Sequence, residues 1–329
     1  MYEFVNVDET MVGLKQGDKV IQLPGVCPFY DENKKFTNIL AVGNKNGIDD
    51  KINLPFLKKI FADCKFVFNG RLASYTVKYY NRFIEKEFDG IMAAEYNKDN
   101  HKALNMVHSM MVRSMPEANG FFYEPIKDNR SYDFSILTKI GDNRNKRFDR
   151  CIRLVDYLCT RHLRGILVTQ EGYWRQVTMI GTFDKYFKMG LLKLEQKIEP
   201  RAFHKLMNQA KVGVFLSTLD SFPKHIIETL LSDKPIVISD DMTMGKEVCV
   251  PDFGIKLTMD KTSSYQRCYE FITNGYKEIK DVRKRYLEKY DYGCVSSLWA
   301  AELNRLFGCK HKQVWFYNHK ERLTNAGLL

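Results

Sequence analysis

The chain has no apolar run approaching the roughly 18–20 residues that a membrane-crossing helix needs. Its first residues, Met1 to Glu9, are acidic and lack the basic-then-apolar order of a secretory signal. Cysteine pairs of the C-x-x-C type are missing, and the eight cysteines are scattered, so zinc ligation is not expected and the thiols read as reduced. A cytoplasmic protein with no metal site is the expectation. Proline and glycine, at 9 and 20, are too few for fibrous or low-complexity chains. No two aspartates stand as D-x-D, and neither a Walker A loop, a G-x-S-x-G elbow nor a dinucleotide G-x-G-x-x-G is found. Those absences argue against P-loop enzymes, serine hydrolases, nicotinamide oxidoreductases and sugar transferases that hold a metal on D-x-D.

What is abundant is apolar and basic. At 44% hydrophobic residues the chain can build real cores, and 51 Lys and Arg against 40 Asp and Glu leave +11. An excess of that size points to an anionic partner and says nothing about fold.

Short apolar runs alternate with helical periodicity, the rhythm of an α/β protein with largely parallel sheets. Strands are expected at 37–42, 65–68 and 89–93, with helices at 54–62, 73–86 and 100–113. One or two further strands are expected in the first 35 residues. A polar stretch at 123–132 marks a boundary, and a second series follows. Its strands are expected at 133–139, 165–169, 191–196, 212–216 and 235–238, and its helices at 146–162, 173–188, 199–209 and 223–232. Phe148, Cys151, Ile152, Val155, Leu158 and Cys159 make the clearest core-facing stripe. The expected domains are therefore 1–130, 131–307 and a basic aromatic tail at 308–329 that can pack back on the first domain.

The chemistry concentrates at 210–247. A buried strand runs into Asp220-Ser221-Phe222-Pro223-Lys224-His225-Ile226-Ile227-Glu228. Ser221 can cap a helix and Pro223 suits its first turn. Ligands of open α/β sheets bind at such strand-to-helix edges, where backbone N–H groups favour an anion. At roughly 1.5 Å rise per residue Asp220 and Glu228 would stand about 10 Å apart along the axis. That is too far for one acid/base dyad and suits two hydroxyl-bearing parts of an extended ligand.

This segment resembles the E-x7-E signature of retaining glycosyltransferase family 4, whose fold is GT-B, two Rossmann-like domains facing across a cleft. Pro235-Ile-Val-Ile-Ser and Gly245-Lys-Glu247 are similar to its continuation, and Phe134 to Arg147 to its strand and basic loop. Asp220 replaces the family's first Glu, and Met242-Thr243-Met244 occupies its glycine-rich turn. The resemblance implies a metal-independent hexosyl- or pentosyltransferase that needs no cofactor beyond a nucleotide-diphospho-sugar co-substrate. Glu228 would bind the ribose and Asp220 the sugar, with Ser221, Phe222, Lys224 and His225 around sugar and phosphate. Lys139 and Lys146, or Arg144 and Arg147 in another register, would neutralise the leaving diphosphate, the charge that builds as the bond breaks. It further implies a donor held mostly by the second domain, an acceptor on the first, and no protein nucleophile.

Blander readings stand beside these. The carboxylates could be ordinary first-turn acids, the cations at 144–150 a solvated helix start, and His225 a packing residue. Gly43 to Gly47 follows a strand and reads either as a plain turn or as a phosphate loop. Tyr173-Trp174-Arg175 reads as core or as a stack for a base. For the acceptor, a glycan or lipid hydroxyl and a hydroxylated base in DNA are the candidates. The alternative function is a non-catalytic nucleic-acid-binding protein on a degenerate transferase fold.

Overall fold

The computed structural model describes residues 2–7, 11–43, 54–70, 84, 86–93, 130–169, 180–196, 205–218, 224–242, 252–259 and 261–316. Several sequence expectations lie outside the described residues: the helix at 100–113, nearly all of that at 73–86, Tyr173 to Arg175, Gly47, Asp220 to Pro223, and Gly245 to Glu247. Two compact units divide the chain, one of residues 1–116 with 290–329 and one of 117–289.

In the first unit, β1 (Phe4–Asn6), β2 (Val12–Gln16) and β3 (Lys19–Leu23) form an antiparallel sheet. A second sheet comprises β4 (Val26–Asp31), β5 (Phe36–Val42), β6 (Lys65–Gly70) and β7 (Gly90–Ala93), with the helix α1 (Leu54–Ile60) between β5 and β6. Strands β5, β6 and β7 run parallel, and β4 pairs antiparallel with β5. Leu40, Val42, Phe61, Phe66, Phe68 and Ile91 form the core between them. The first 35 residues thus hold four strands, more than the one or two expected.

The second unit contains one six-stranded sheet. Its strands are β8 (Tyr132–Leu137), β9 (Gly165–Thr169), β10 (Leu192–Gln196), β11 (Ala210–Phe215), β12 (Ile236–Ser239) and β13 (Gly254–Leu257). They lie in the order β10-β9-β8-β11-β12-β13, and every neighbouring pair is parallel. Read along the chain this is 3-2-1-4-5-6, the Rossmann order. Connecting helices are α2 (Phe148–Cys159), α3 (Gly181–Lys188), α4 (Lys224–Leu231) and α5 (Thr262–Thr273). Of the stripe expected on α2, Phe148, Cys151, Val155, Leu158 and Cys159 are buried and Ile152 is half-buried; with Leu154, which was not expected, they pack with Phe134, Ile136, Val212 and Val214. Alternation along β11 then puts Gly213 on the opposite face, and Thr229 of α4 lies there against it. Helices therefore cover both faces.

Two more helices follow, α6 (Val282–Tyr290) and α7 (Tyr292–Phe307), and then β14 (Val314–Phe316). The tail expected at 308–329 accordingly begins with a strand. β14 pairs antiparallel with β4, Trp315 opposite Tyr30, and the Trp299 ring of α7 packs tilted against Phe29 with centroids 5.0 Å apart. Helix α7, read from sequence with the second domain, belongs to the first unit. Among the described residues no helix is long and apolar enough to cross a membrane.

Candidate functional site

Strand order reverses direction between β8 and β11. From β8 the chain winds outward through β9 to β10, then crosses back to β11 on the other side. The loops leaving the carboxyl ends of β8 and β11 go to opposite faces, and open sheets of this kind bind ligands at that switch point. The loop after β8 carries the sequence-selected cations, and the loop after β11 leads into the helix of Glu228.

The structure joins the two segments. Thr218, just past β11, donates its N–H to the Asn145 carbonyl at 2.9 Å and its hydroxyl to the Arg144 carbonyl at 2.9 Å. The basic loop is also braced internally. Asp142 accepts from the N–H of Asn145 (2.8 Å), and the Asn143 side chain accepts from the N–H of Asp149 (3.1 Å). Since the N–H of Phe148 donates to the Asp142 carbonyl (3.2 Å), the first amides of α2 are occupied by the loop itself. An anion here would be met by side chains, unlike the usual helix N-terminus.

The cations sort into two kinds. Arg147 and Arg150 are struts. Arg147, at a left-handed φ of 48°, grips Asp149 with two bonds of 3.0 Å. Arg150 is 2% exposed and binds both oxygens of Asp241 (2.9 and 2.7 Å) and the Ser239 hydroxyl (2.9 Å). Ser239 also donates to Asp241. Burial opposes the charge on Asp241, but the bonds from Arg150 and Ser239 outweigh it and hold the carboxyl below its usual range. This anchors the start of α2 to the carboxyl end of β12. From sequence Arg150 stood only among the cations at 144–150, off the apolar stripe, and its partner Asp241 is too distant in sequence to give a local signal. Lys139 and Arg144, by contrast, are exposed, and Lys146 is half-buried beside them. The phosphate role expected of Arg147 competes with its grip on Asp149, whereas Lys139 and Arg144 are exposed.

Helix α4 lies close on β11 because position 213 has no side chain: a Cβ there would meet Thr229 Cγ2 at 2.7 Å. That approach sets Glu228, whose side chain is 8% exposed, in the wall of the sheet edge. His225 Nδ1 stands 2.7 Å from Glu228 Oε2. Of the remaining expected site residues, Asp220, Ser221 and Phe222 lie outside the described residues, and Lys224 is described only as the first residue of α4. Gly43 is buried and donates its N–H to the Gly25 carbonyl at 2.8 Å, so its amide extends the β4–β5 ladder past Val26 and Val42 and is not available to a phosphate.

One row of polar groups escaped the sequence reading. Gln196 lies opposite Thr169 across β9 and β10, and the N–H of Thr138 reaches the Val168 carbonyl at 3.0 Å. Thr169 and Gln196 end their strands and Thr138 follows β8 by one residue, so the three share one rung and one face. The Thr138 and Thr169 hydroxyls and the Gln196 amide nitrogen are buried there and have no hydrogen-bond partner among the described residues. Native proteins leave few buried polar groups unsatisfied.

No protein-family model and no curated protein matches the chain. Solved structures do. The GtfA/B complex superposes at a TM-score of 0.54 with 11% identity, over 90% of this chain and 75% of that one. HepE of Anabaena, in complex with UDP and glucose, matches at 0.53 with 13% identity over 75% and 74%. A UDP-forming trehalose-phosphate synthase from Burkholderia xenovorans matches at 0.53 with 12% identity over 82% and 73%. Two α/β units, a second unit in Rossmann order and these likenesses together establish the GT-B fold, with two Rossmann-like domains.

Proposed function

We propose that the protein is a retaining, metal-independent glycosyltransferase that moves a sugar from a nucleotide-diphospho-sugar to an acceptor hydroxyl. The observation that carries the reading is the tether between the loop of Lys139, Arg144 and Lys146 and the carboxyl end of β11, which brings candidate diphosphate cations and the helix of Glu228 to one switch point. Glu228 binds the ribose hydroxyls and Asp220 the sugar, with Ser221, Phe222, Lys224 and His225 around them. Lys139, Lys146 and Arg144 stabilise the charge on the leaving oxygen, the role a metal ion plays in other transferases. The acceptor attacks from the side of the departing phosphate, which takes its proton, so no protein nucleophile is required. The ligands named with the structural neighbours, UDP and glucose, make a UDP-sugar the first donor to try. The net charge of +11 exceeds what one diphosphate requires and favours an acceptor that is itself anionic, a lipid-linked glycan or hydroxylated DNA.

The test is a panel of nucleotide sugars assayed for release of nucleoside diphosphate and for a shift in melting temperature, with and without EDTA. Donor-dependent stabilisation and turnover that persists in chelator are expected. Activity lost in EDTA and restored by Mn²⁺ overturns the cationic assignment. Duplex DNA binding with no turnover of any donor favours the nucleic-acid-binding alternative.

A further inference from the structure

His225 sits one turn before Glu228 on α4, its Nδ1 2.7 Å from Glu228 Oε2. A carboxylate oxygen offers only lone pairs, so a contact of that length requires the hydrogen on Nδ1. Both the Nδ1–H neutral ring and the imidazolium meet that requirement, and the contact survives a change of protonation. The two partners differ sharply in exposure: the Glu228 side chain is 8% exposed and that of His225 is 37%. The histidine is held from its own backbone as well, since its carbonyl accepts the Thr229 hydroxyl at 2.7 Å. The backbone carbonyl of Glu228 likewise accepts the Ser232 hydroxyl at 2.9 Å, so the helical turn is braced while the carboxylate itself is left to be oriented by its side-chain partners. A carboxylate that meets ligand hydroxyls must present its oxygens in a fixed plane, and a glutamate has three rotatable bonds with which to lose it.

We infer that His225 is a positioning residue, which donates from Nδ1 to Glu228 Oε2 and fixes the plane in which that carboxylate meets the hydroxyls of a nucleoside diphosphate. The inference rests on the proposed role of Glu228 and gives His225 a role exerted through Glu228, separate from any contact with the sugar, which a nucleoside diphosphate lacks. Asparagine tests it well, because its side-chain nitrogen lies where Nδ1 does and can donate the same bond.

The experiment is calorimetric titration of the whole protein with UDP, GDP and ADP, for wild type, His225→Ala, His225→Asn and Glu228→Gln, with a thermal melt of each. For the nucleotide that wild type binds, His225→Ala should weaken affinity about tenfold, and His225→Asn should restore most of it. Glu228→Gln should cost about ten- to a hundredfold. Melting temperatures of both His225 variants should stay near wild type, which a purely structural histidine would not allow. If Glu228→Gln weakens binding and His225→Ala does not, positioning is overturned while the ribose reading stands. Equal losses in His225→Ala and His225→Asn also overturn it, since the ring itself would then be needed. If wild type binds none of the three, or Glu228→Gln binds as wild type does, the reading of Glu228 fails and the inference falls with it.

Discussion

Lys234 is 2% exposed at the start of β12, a place where an ammonium is costly. Burial, with the nearby charge of Arg130 adding and Asp233 opposing, pushes its pKa down to about 8. At pH 7 the lysine is charged in folded and unfolded chains alike, so the penalty is fully present. Above about 8 the folded chain gives up the proton while the unfolded chain keeps it to about 10.4, and stability rises with pH across that window. Lys234→Met should therefore stabilise the protein at pH 7 by about 1–3 kcal/mol, and its advantage over wild type should shrink between pH 8 and 10 in denaturant titrations. An advantage independent of pH would contradict this account. The same scale shows what was legible in the chain. Glu228 stood out because the spacing to Asp220 and the Phe-Pro between them carry a pattern. His225 was not assigned a partner, because a bond three residues along a helix depends on two rotamers that sequence does not specify. Nor could composition separate four nearby cations: Arg147 and Arg150 became struts only through Asp149 and through Asp241, which lies 91 residues from Arg150.

At the scale of elements, periodicity carried the second unit well. The stripe on α2 is long and amphipathic, and the strands of a parallel sheet covered on both faces are short apolar runs. The N-terminal hairpins were harder. β3 is mostly exposed and reads Lys-Val-Ile-Gln-Leu, so its alternation is blurred, and β1 has only three residues. β13 went unread because Gly-Ile-Lys-Leu is brief and begins with a glycine. That glycine has a physical cause. A Cβ on Gly254 would lie 1.9 Å from the Ile236 carbonyl oxygen, a backbone atom of the neighbouring strand that can move only by breaking the β12–β13 ladder. Gly254→Ala should cost on the order of 2–4 kcal/mol by overpacking and ladder loss, read as a lower denaturation midpoint. A midpoint like that of wild type would mean that the two strands can separate at little cost.

At the scale of the whole molecule, the units differ in how the chain supplies them. The second is continuous, and a fragment of residues 117–289 should fold by itself. The expected signature is a single cooperative transition, with slow amide exchange in β8, β11 and β12. A fragment of residues 1–116 should not match it, because α7 and β14 are missing. An unstructured second-unit fragment would show that its core depends on the rest. The strand pair β4–β14 also sets a clock. Glu32, beside β4, accepts the amide of Lys312, 280 residues downstream. At about 5–20 residues per second on the ribosome, that partner emerges on the order of 15–60 s later. Throughout that interval the nascent chain displays the open edge of β4, a template for pairing with other chains. One strand of the first unit is therefore the chain's point of exposure to its neighbours on the ribosome until β14 is made.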